Sequence, residues 1–138
     1  MDIDLRPGSG DDLALIAQIQ AASPEASQWE VGEYLNYDLM VAVCDGRVAG
    51  FAVARRVAES ESELLNLAVD PAFRQRGVGR RLVAALTSGH PGILWLEVRE
   101  SNVKARKLYE SLGFREMGCR PDYYPGSCES AIVMKVYT

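Results

Sequence analysis

The octapeptide Arg74-Gln75-Arg76-Gly77-Val78-Gly79-Arg80-Arg81 sets two glycines among four arginines, where strand-like residues give way to helix-like ones. Glycine lets backbone N–H groups approach an anion, and a helix N-terminus adds partial positive charge, so this stretch is suited to cradle a phosphate. The competing reading is a tight turn and nothing more. Two well-known phosphate loops are excluded on residues. A Walker A loop needs Lys-Ser/Thr after its last glycine, where this chain has Arg80-Arg81, and a dinucleotide fingerprint needs a third glycine where Leu82 stands. The second candidate is Glu97 in Ile93-Leu94-Trp95-Leu96-Glu97-Val98, a strand apolar on both alternating faces. A carboxylate there is either partly desolvated, which would favour its taking up a proton and suit a general base, or it reaches solvent or Arg99 at the strand end.

Other reactive side chains offer less. His90 is the only histidine and falls in Ser88-Gly89-His90-Pro91-Gly92, a turn expected in solvent, so a histidine metal site or a Ser-His-Asp triad has little to build on. Cys44, Cys119 and Cys128 lack C-x-x-C spacing and read as reduced thiols, with no metal expected. Glu59, Glu61 and Glu63 read as a solvated hairpin loop, the alternative being recruitment of a basic substrate. Tyr123-Tyr124-Pro125 is either an aromatic binding wall or a loop packed on the core.

The elements that must position these residues follow from periodicity. Ile3–Arg6 alternates as a strand ending at Pro7-Gly8, and Asp11 caps a helix with Leu13, Ile16, Ala17 and Gln20 on one face. Ser27 to Asn36 reads as a second short helix. The runs 39–44 and 48–54 are strands joined by the hairpin signal Asp45-Gly46, and 64–69 is the next strand. Val78, Leu82, Val83 and Leu86 mark a helix of two to three turns ending by Gly89. After the strand at 93–98, Ser101-Asn102 caps a helix whose apolar stripe is Ala105, Leu108, Tyr109 and Leu112, stopped by Gly113. Strands at about 114–119 and 129–137 close an order β-α-α-β-β-β-α-β-α-β-β. This is an α/β fold with one mixed, mostly antiparallel, twisted sheet of about seven strands and about four flanking helices.

A length of 138 residues with 48% hydrophobic content supports a single domain spanning 1–138. No leader-like or membrane-spanning apolar run is present, so a soluble cytoplasmic protein is expected. The net charge of −4 divides unevenly: residues 1–70 carry 4 basic against 13 acidic side chains, a net of −9, and residues 71–138 carry 11 against 6, a net of +5. An acidic chain argues against general nucleic-acid binding, while a basic second half suits a polyanionic ligand.

On these residues a resemblance becomes specific. Asn66-Leu67-Ala68-Val69-Asp70-Pro71 followed by Arg74, Gly77-Val78-Gly79 resembles the acetyl-coenzyme A motif of the GNAT N-acetyltransferase superfamily. Trp95–Asn102, then Leu108-Tyr109-Glu110-Ser111-Leu112-Gly113-Phe114, then Tyr123-Tyr124-Pro125 are similar to the branch that acetylates protein N-termini, in particular the bacterial ribosomal-protein alanine N-acetyltransferases. The similarity is strong from about Glu63 to Val136. It implies acetyl-coenzyme A as cosubstrate, its pyrophosphate on backbone N–H groups of Arg76, Gly77, Val78, Gly79 and Arg80, and its pantetheine along Leu67, Ala68 and Val69. Gln75 belongs to the same loop, and Arg74 and Arg81 would be solvated or near the ribose phosphate. Asn102 would hold the cofactor arm, a role that competes with helix capping. Glu97 would be the base and Tyr109 the acid for the departing thiolate, whereas residues alone make Tyr109 a core aromatic with a wet hydroxyl. Tyr123, Tyr124 and a loop near Trp29 would receive the acceptor, although Ser23 to Trp29 lacks the family's usual Pro-Trp pattern.

The reading is then an N-acetyltransferase in which a neutral amine attacks the thioester directly, the acceptor being a protein N-terminus, possibly on a ribosomal protein. A small-molecule amine or lysine acetyltransferase is the alternative enzyme. A non-catalytic acyl-coenzyme A sensor or peptide-binding module is the alternative of another class. A monomer or weak dimer is expected, with no nucleic-acid or membrane partner.

Overall fold

The computed structural model of the chain describes residues 2–121, 123 and 130–138. The strands are β1 (Ile3–Pro7), β2 (Asp38–Cys44), β3 (Arg47–Ala58), β4 (Glu61–Val69), β5 (Ile93–Arg99), β6 (Arg115–Arg120) and β7 (Ala131–Tyr137). They form one seven-stranded sheet in the order β1-β2-β3-β4-β5-β7-β6. The pairing β4–β5 is parallel, and β1–β2, β2–β3, β5–β7 and β6–β7 are antiparallel. The helices are α1 (Leu13–Ala21), α2 (Val78–Gly89) and α3 (Val103–Ser111), with 3-10 turns at Gly10–Asp12, Val31–Asn36 and Pro71–Phe73. The mixed, mostly antiparallel seven-stranded architecture is the one expected from the periodicity. Among the described residues no helix is long and apolar enough to cross a membrane.

The chain divides into two compact units, the first comprising Met1–Arg55 with Leu65–Leu86 and the second Arg56–Leu64 with Thr87–Thr138. In the first, the β2–β3 hairpin turns on Asp45 and Gly46 at φ +52° and +78°, the left-handed pair that a two-residue turn between twisted strands requires. Val48 to Ala54 of β3 is buried without alternation, because both faces of this central strand are covered. The core around it includes Ile16, Ile19, Tyr34, Val41, Phe51, Val53 and Leu65. At Gly50 a Cβ would stand 3.0 Å from the Ala68 carbonyl and 3.2 Å from Val78, so a side chain is missing where α2 begins against the sheet. In the second unit β5 alternates, with Leu94, Leu96 and Val98 buried and Trp95 and Glu97 on the other face.

Several local expectations are corrected. The segment Ser27–Asn36 is helical only from Val31, as a 3-10 turn, because side-chain hydrogen bonds hold residues 27–29 in an irregular path. Glu61 and Glu63 lie within β4, not in a loop, alternating with buried Ser62 and Leu64; the turn itself is Glu59-Ser60, with Ser60 at φ +59°. Asp12 replaces Asp11 as the residue anchoring the start of α1, accepting from the Ser9 N–H at 2.8 Å and pairing with Arg6 at 2.8 Å. The α2 helix, Val78–Gly89, runs 12 residues and ends where expected. His90 is 8% exposed and not in solvent: its carbonyl accepts from the Thr138 hydroxyl at 3.0 Å, which draws the turn inward.

Candidate active site

The glycine-rich stretch is shaped before it reaches its arginines. Asp70 accepts from the Ala72 N–H at 2.9 Å and so caps the Pro71–Phe73 turn, while its own N–H donates to the Ala49 carbonyl at 2.7 Å. Gln75 and Gly77 then take φ of +62° and +84°, and a Cβ on Gly77 would meet nothing within 4 Å. The space beside Gly77 is therefore open, and α2 leaves the loop with the first helical bond from Arg81 N–H to Gly77 O at 3.0 Å. The N–H groups of Val78, Gly79 and Arg80 occupy the first turn, whose donors have no intrahelical acceptor, and their partial positive charge suits a phosphate. This cradle fits a pyrophosphate.

The arginines divide. Arg76 lies over the Phe73 ring at 5.7 Å, and Arg47, which sequence reasoning missed, lies over the same ring at 5.8 Å while pairing with Asp70 at 3.3 Å. Arg74 does not stand open to an anion. Its guanidinium donates to the Val69 carbonyl at 3.0 Å and the Ser23 hydroxyl at 2.9 Å and pairs with Glu25 at 3.5 Å. Arg81 donates to the Ile3 carbonyl at 3.3 Å. Arg80 and Gln75 are exposed.

Beside the loop, Asn66 of β4 organises a buried polar cluster that was not anticipated. Its Oδ1 accepts from Leu67 N–H at 3.0 Å and Ser27 N–H at 3.3 Å, and its Nδ2 donates to Ser27 O at 2.9 Å, Tyr34 Oη at 3.0 Å and Gln20 Oε1 at 3.1 Å. Tyr34 donates to Gln20 Oε1 at 2.6 Å, and burial pushes its hydroxyl up, against the hydrogen bond from Asn66, so that it stays protonated. Gln20 in turn donates to the Trp29 carbonyl at 2.7 Å, which fixes the backbone of Trp29 and leaves its indole 44% exposed. Leu67 N–H is spent on Asn66, and since Asp70 N–H turns to Ala49 on β3, strand alternation turns Ala68 N–H the same way and Val69 N–H away from β3.

In the second unit Glu97 is 20% exposed and is not in an apolar wall. Arg120 of β6, which the spacing did not suggest, lies 3.1 Å from Oε1. The Tyr123 hydroxyl donates to the Glu97 carboxylate, the Arg120 guanidinium stacks over the Tyr123 ring at 5.6 Å, and Glu63 acts on the same phenol. Burial and the two carboxylates hold the Tyr123 phenol above its ordinary range. Tyr124 lies outside the described residues. Asn102 caps α3 by accepting from Ala105 N–H at 3.2 Å. Tyr109 is buried against Phe114 with ring centroids 5.6 Å apart, and burial pushes its phenol well up. A hydrogen-bonded carboxylate, a phenol and a backbone anion cradle can serve proton transfer and acyl transfer from a phosphate-bearing donor. No group of three or more His, Cys, Asp or Glu side chains that could hold a metal occurs among the described residues.

Comparison with known proteins gives the family and the fold. Residues 13–114 match the acetyltransferase (GNAT) family. The [ribosomal protein bS18]-alanine N-acetyltransferase of Salmonella typhimurium is 46% identical over 107 residues, 73% of this chain and 70% of that protein. The matched stretch spans about two thirds of the curated relatives' own length. The crystal structure of the ribosomal-protein-S18-alanine N-acetyltransferase from Escherichia coli superposes with a TM-score of 0.82 at 33% identity, covering 98% of this chain and 93% of that one. Ard1 from Thermoplasma volcanium superposes with a TM-score of 0.88 at 28% identity, covering 99% and 97%.

Proposed function

The chain belongs to the acetyltransferase (GNAT) family, and from that premise we propose that it transfers the acetyl group of acetyl-coenzyme A to the N-terminal α-amino group of a protein, an alanine on a ribosomal protein being the acceptor its relatives' names point to. The observation that carries the reading is the hydrogen-bonded carboxylate of Glu97 in a chain that also has an open, glycine-shaped backbone at the start of α2. The reading takes 1–138 as one catalytic domain, acting in the cytoplasm as a monomer or weak dimer.

Acetyl-coenzyme A brings an activated acyl group whose thiol, with a pKa of about 8.5, leaves readily. The first unit holds it: Arg76 to Arg80 N–H groups take the pyrophosphate, and β4 at Leu67–Val69 takes the pantetheine. In the second unit Asn102 can contribute its amide nitrogen, since its Oδ1 is committed to Ala105. Glu97 takes the proton from the acceptor amine, directly or through one water, so that nitrogen attacks as a neutral nucleophile. A backbone N–H of the Leu67–Val69 strand, Val69 by its direction, receives the carbonyl oxygen as its charge grows. Tyr109 gives a proton to the departing sulfur. Its raised phenol makes it a weak acid, and a thiolate needs little help, so its contribution is modest.

The amine limits the substrate. An α-amino group with a pKa of about 7.7–8.0 is roughly 3 kcal/mol easier to deprotonate at neutral pH than a lysine at about 10.4, which suits a single carboxylate base. The test is incubation with acetyl-coenzyme A and peptides beginning Ala, Ser or Met, an N-terminally blocked lysine peptide, and polyamines, with acetyl transfer followed by mass. Transfer to the free N-terminus is expected. Turnover of the blocked lysine peptide or of polyamines alone would overturn the N-terminal assignment, and cofactor binding with no turnover on any amine would overturn catalysis.

A further inference from the structure

Glu97 carries a permanent cation beside it, because a guanidinium stays protonated at every relevant pH, and Arg120 Nη2 stands 3.1 Å from its Oε1. Arg120 is also stacked on Tyr123, and Tyr123 donates to Glu97, so the three side chains close a triangle around one carboxylate. We propose that Arg120 is a positioning and charge-balancing residue that keeps the bound acceptor amine neutral and so selects an α-amine. The inference rests on Glu97 being the base.

The physical problem is that an unpaired carboxylate holds an ammonium well and therefore resists its deprotonation. An opposite charge within about 4–6 Å favours the charged form of an amine, and a like charge disfavours it. Glu97 alone would bind the acceptor as ammonium and keep it unreactive. Arg120 offsets that field at the carboxylate itself while Tyr123 fixes which oxygen faces the acceptor. Arg99, a second cation, shares the outer face of β5 with Glu97, but Arg120 is the one set against both the carboxylate and the Tyr123 ring. Glu63 on β4 adds negative charge, Trp95 and Arg99 are its neighbours on β5's outer face, Val133 faces it from β7, and Lys135 of β7 is directed over the rings of Trp95 and Tyr137 at 5.0 Å and 4.9 Å. Lysine acceptors, which start about 2.5 pH units more basic than α-amines, gain too little from one guanidinium to react well at neutral pH.

The test is the pH dependence of kcat and KM, from pH 6 to 9.5, for an alanine-initiated peptide with the wild-type protein, Arg120→Met, Arg120→Lys and, as a control for net charge on the same strand, Arg115→Met. The expected result for Arg120→Met is an acid limb of kcat moved up by about half to one pH unit, hence a loss of about three- to tenfold at pH 7 that recovers above pH 9. Its KM for peptide at pH 6 should fall, because Glu97 now holds the ammonium more tightly. Arg120→Lys should restore most of the profile and Arg115→Met should leave it unchanged. A loss in Arg120→Met that is uniform across the pH range, or no loss, overturns the proposal. Glu97→Gln separates the two layers: full rate in that variant would sink Glu97 as base, whereas an inactive Glu97→Gln with an unshifted Arg120→Met sinks only the role of Arg120.

Discussion

Replacing Asn66 should cost more than replacing the tyrosine it bonds to, although the tyrosine is larger and fully buried. In Tyr34→Phe the hydroxyl that donates to Gln20 Oε1 and accepts from Asn66 Nδ2 is lost, yet Gln20 Oε1 still accepts from Asn66 at 3.1 Å and Asn66 Nδ2 still donates to Ser27 O at 2.9 Å. No buried group is orphaned, so the cost is that of ordinary hydrogen bonds, about 1–1.5 kcal/mol. In Asn66→Leu the shape is nearly kept, but the N–H groups of Leu67 and Ser27 and the carbonyl of Ser27 all lose their partner. At about 1–3 kcal/mol per orphaned group, and discounting the long Ser27 N–H bond, the cost is about 3–5 kcal/mol, a large part of a domain's typical 5–15. Urea unfolding followed by tryptophan fluorescence measures both, and Trp29 reports on the loop that Ser27 and Gln20 hold. At temperatures where Asn66→Leu remains folded, its KM for the acceptor should rise while its KM for acetyl-coenzyme A changes less. A cost no greater than that of Tyr34→Phe would refute the reasoning, since it would mean that water, and not Asn66, satisfies this backbone.

Gly92→Ala should destabilise by more than about 3 kcal/mol, because a Cβ there would lie 2.1 Å from the Ser60 carbonyl oxygen at φ +110°; thermal unfolding checks it. Gly77→Ala meets no atom within 4 Å, so its cost is about 1–2 kcal/mol of left-handed strain, and the signature is a raised KM for acetyl-coenzyme A with a protein that still folds. Asp12 titrates at about 2 in the folded chain against 3.8 for a free side chain, held down first by the Arg6 hydrogen bond. A depressed carboxylate contributes stability that is present above 3.8 and lost as pH falls through 2, so Asp12→Asn should cost about 1–2 kcal/mol at pH 7, discounted for the half-exposed Arg6, with the gap to wild type closing toward pH 2 in urea titrations. Tyr109→Phe should lower kcat by about tenfold or less without shifting the acid limb of the pH profile, since the role proposed for its phenol is at the leaving group and not at the amine.

What was legible in the chain was what local chemistry decides. Asp45-Gly46 permits the left-handed pair of a tight hairpin, and Val78 to Leu86 and Ala105 to Leu112 repeat at helical spacing, so those elements formed where periodicity put them. The segment 27–30 failed for the complementary reason. Its hydrogen bonds come from side chains and not from a helical ladder: Gln28 donates to the carbonyls of Gln20, Ser23 and Ala26, and Asn66, 39 residues away, holds Ser27. Glu61 and Glu63 looked like loop because acidic residues are poor strand formers, but a strand with one solvated face accepts them at alternate positions. Glu97 was identified and its partner was not: Arg120 is 23 residues on, brought near by the antiparallel course β5–β7–β6, and no spacing rule announces that. Arg47 beside Phe73 was hidden in the same way.

The two asparagines show why assigning one role per residue fails. A side-chain amide has an acceptor end and a donor end, and backbone N–H groups at an irregular strand or a helix start need only the acceptor. Asn66 spends its oxygen on Leu67 and its nitrogen on the cluster with Gln20, Tyr34 and Ser27, so both ends are structural. Asn102 spends its oxygen on Ala105, and among the described residues its nitrogen has no partner. Capping therefore does not compete with the ligand role proposed for this residue, because each needs a different atom. The cap commits only Oδ1, so the amide N–H donors remain for the cofactor-holding role proposed for this residue.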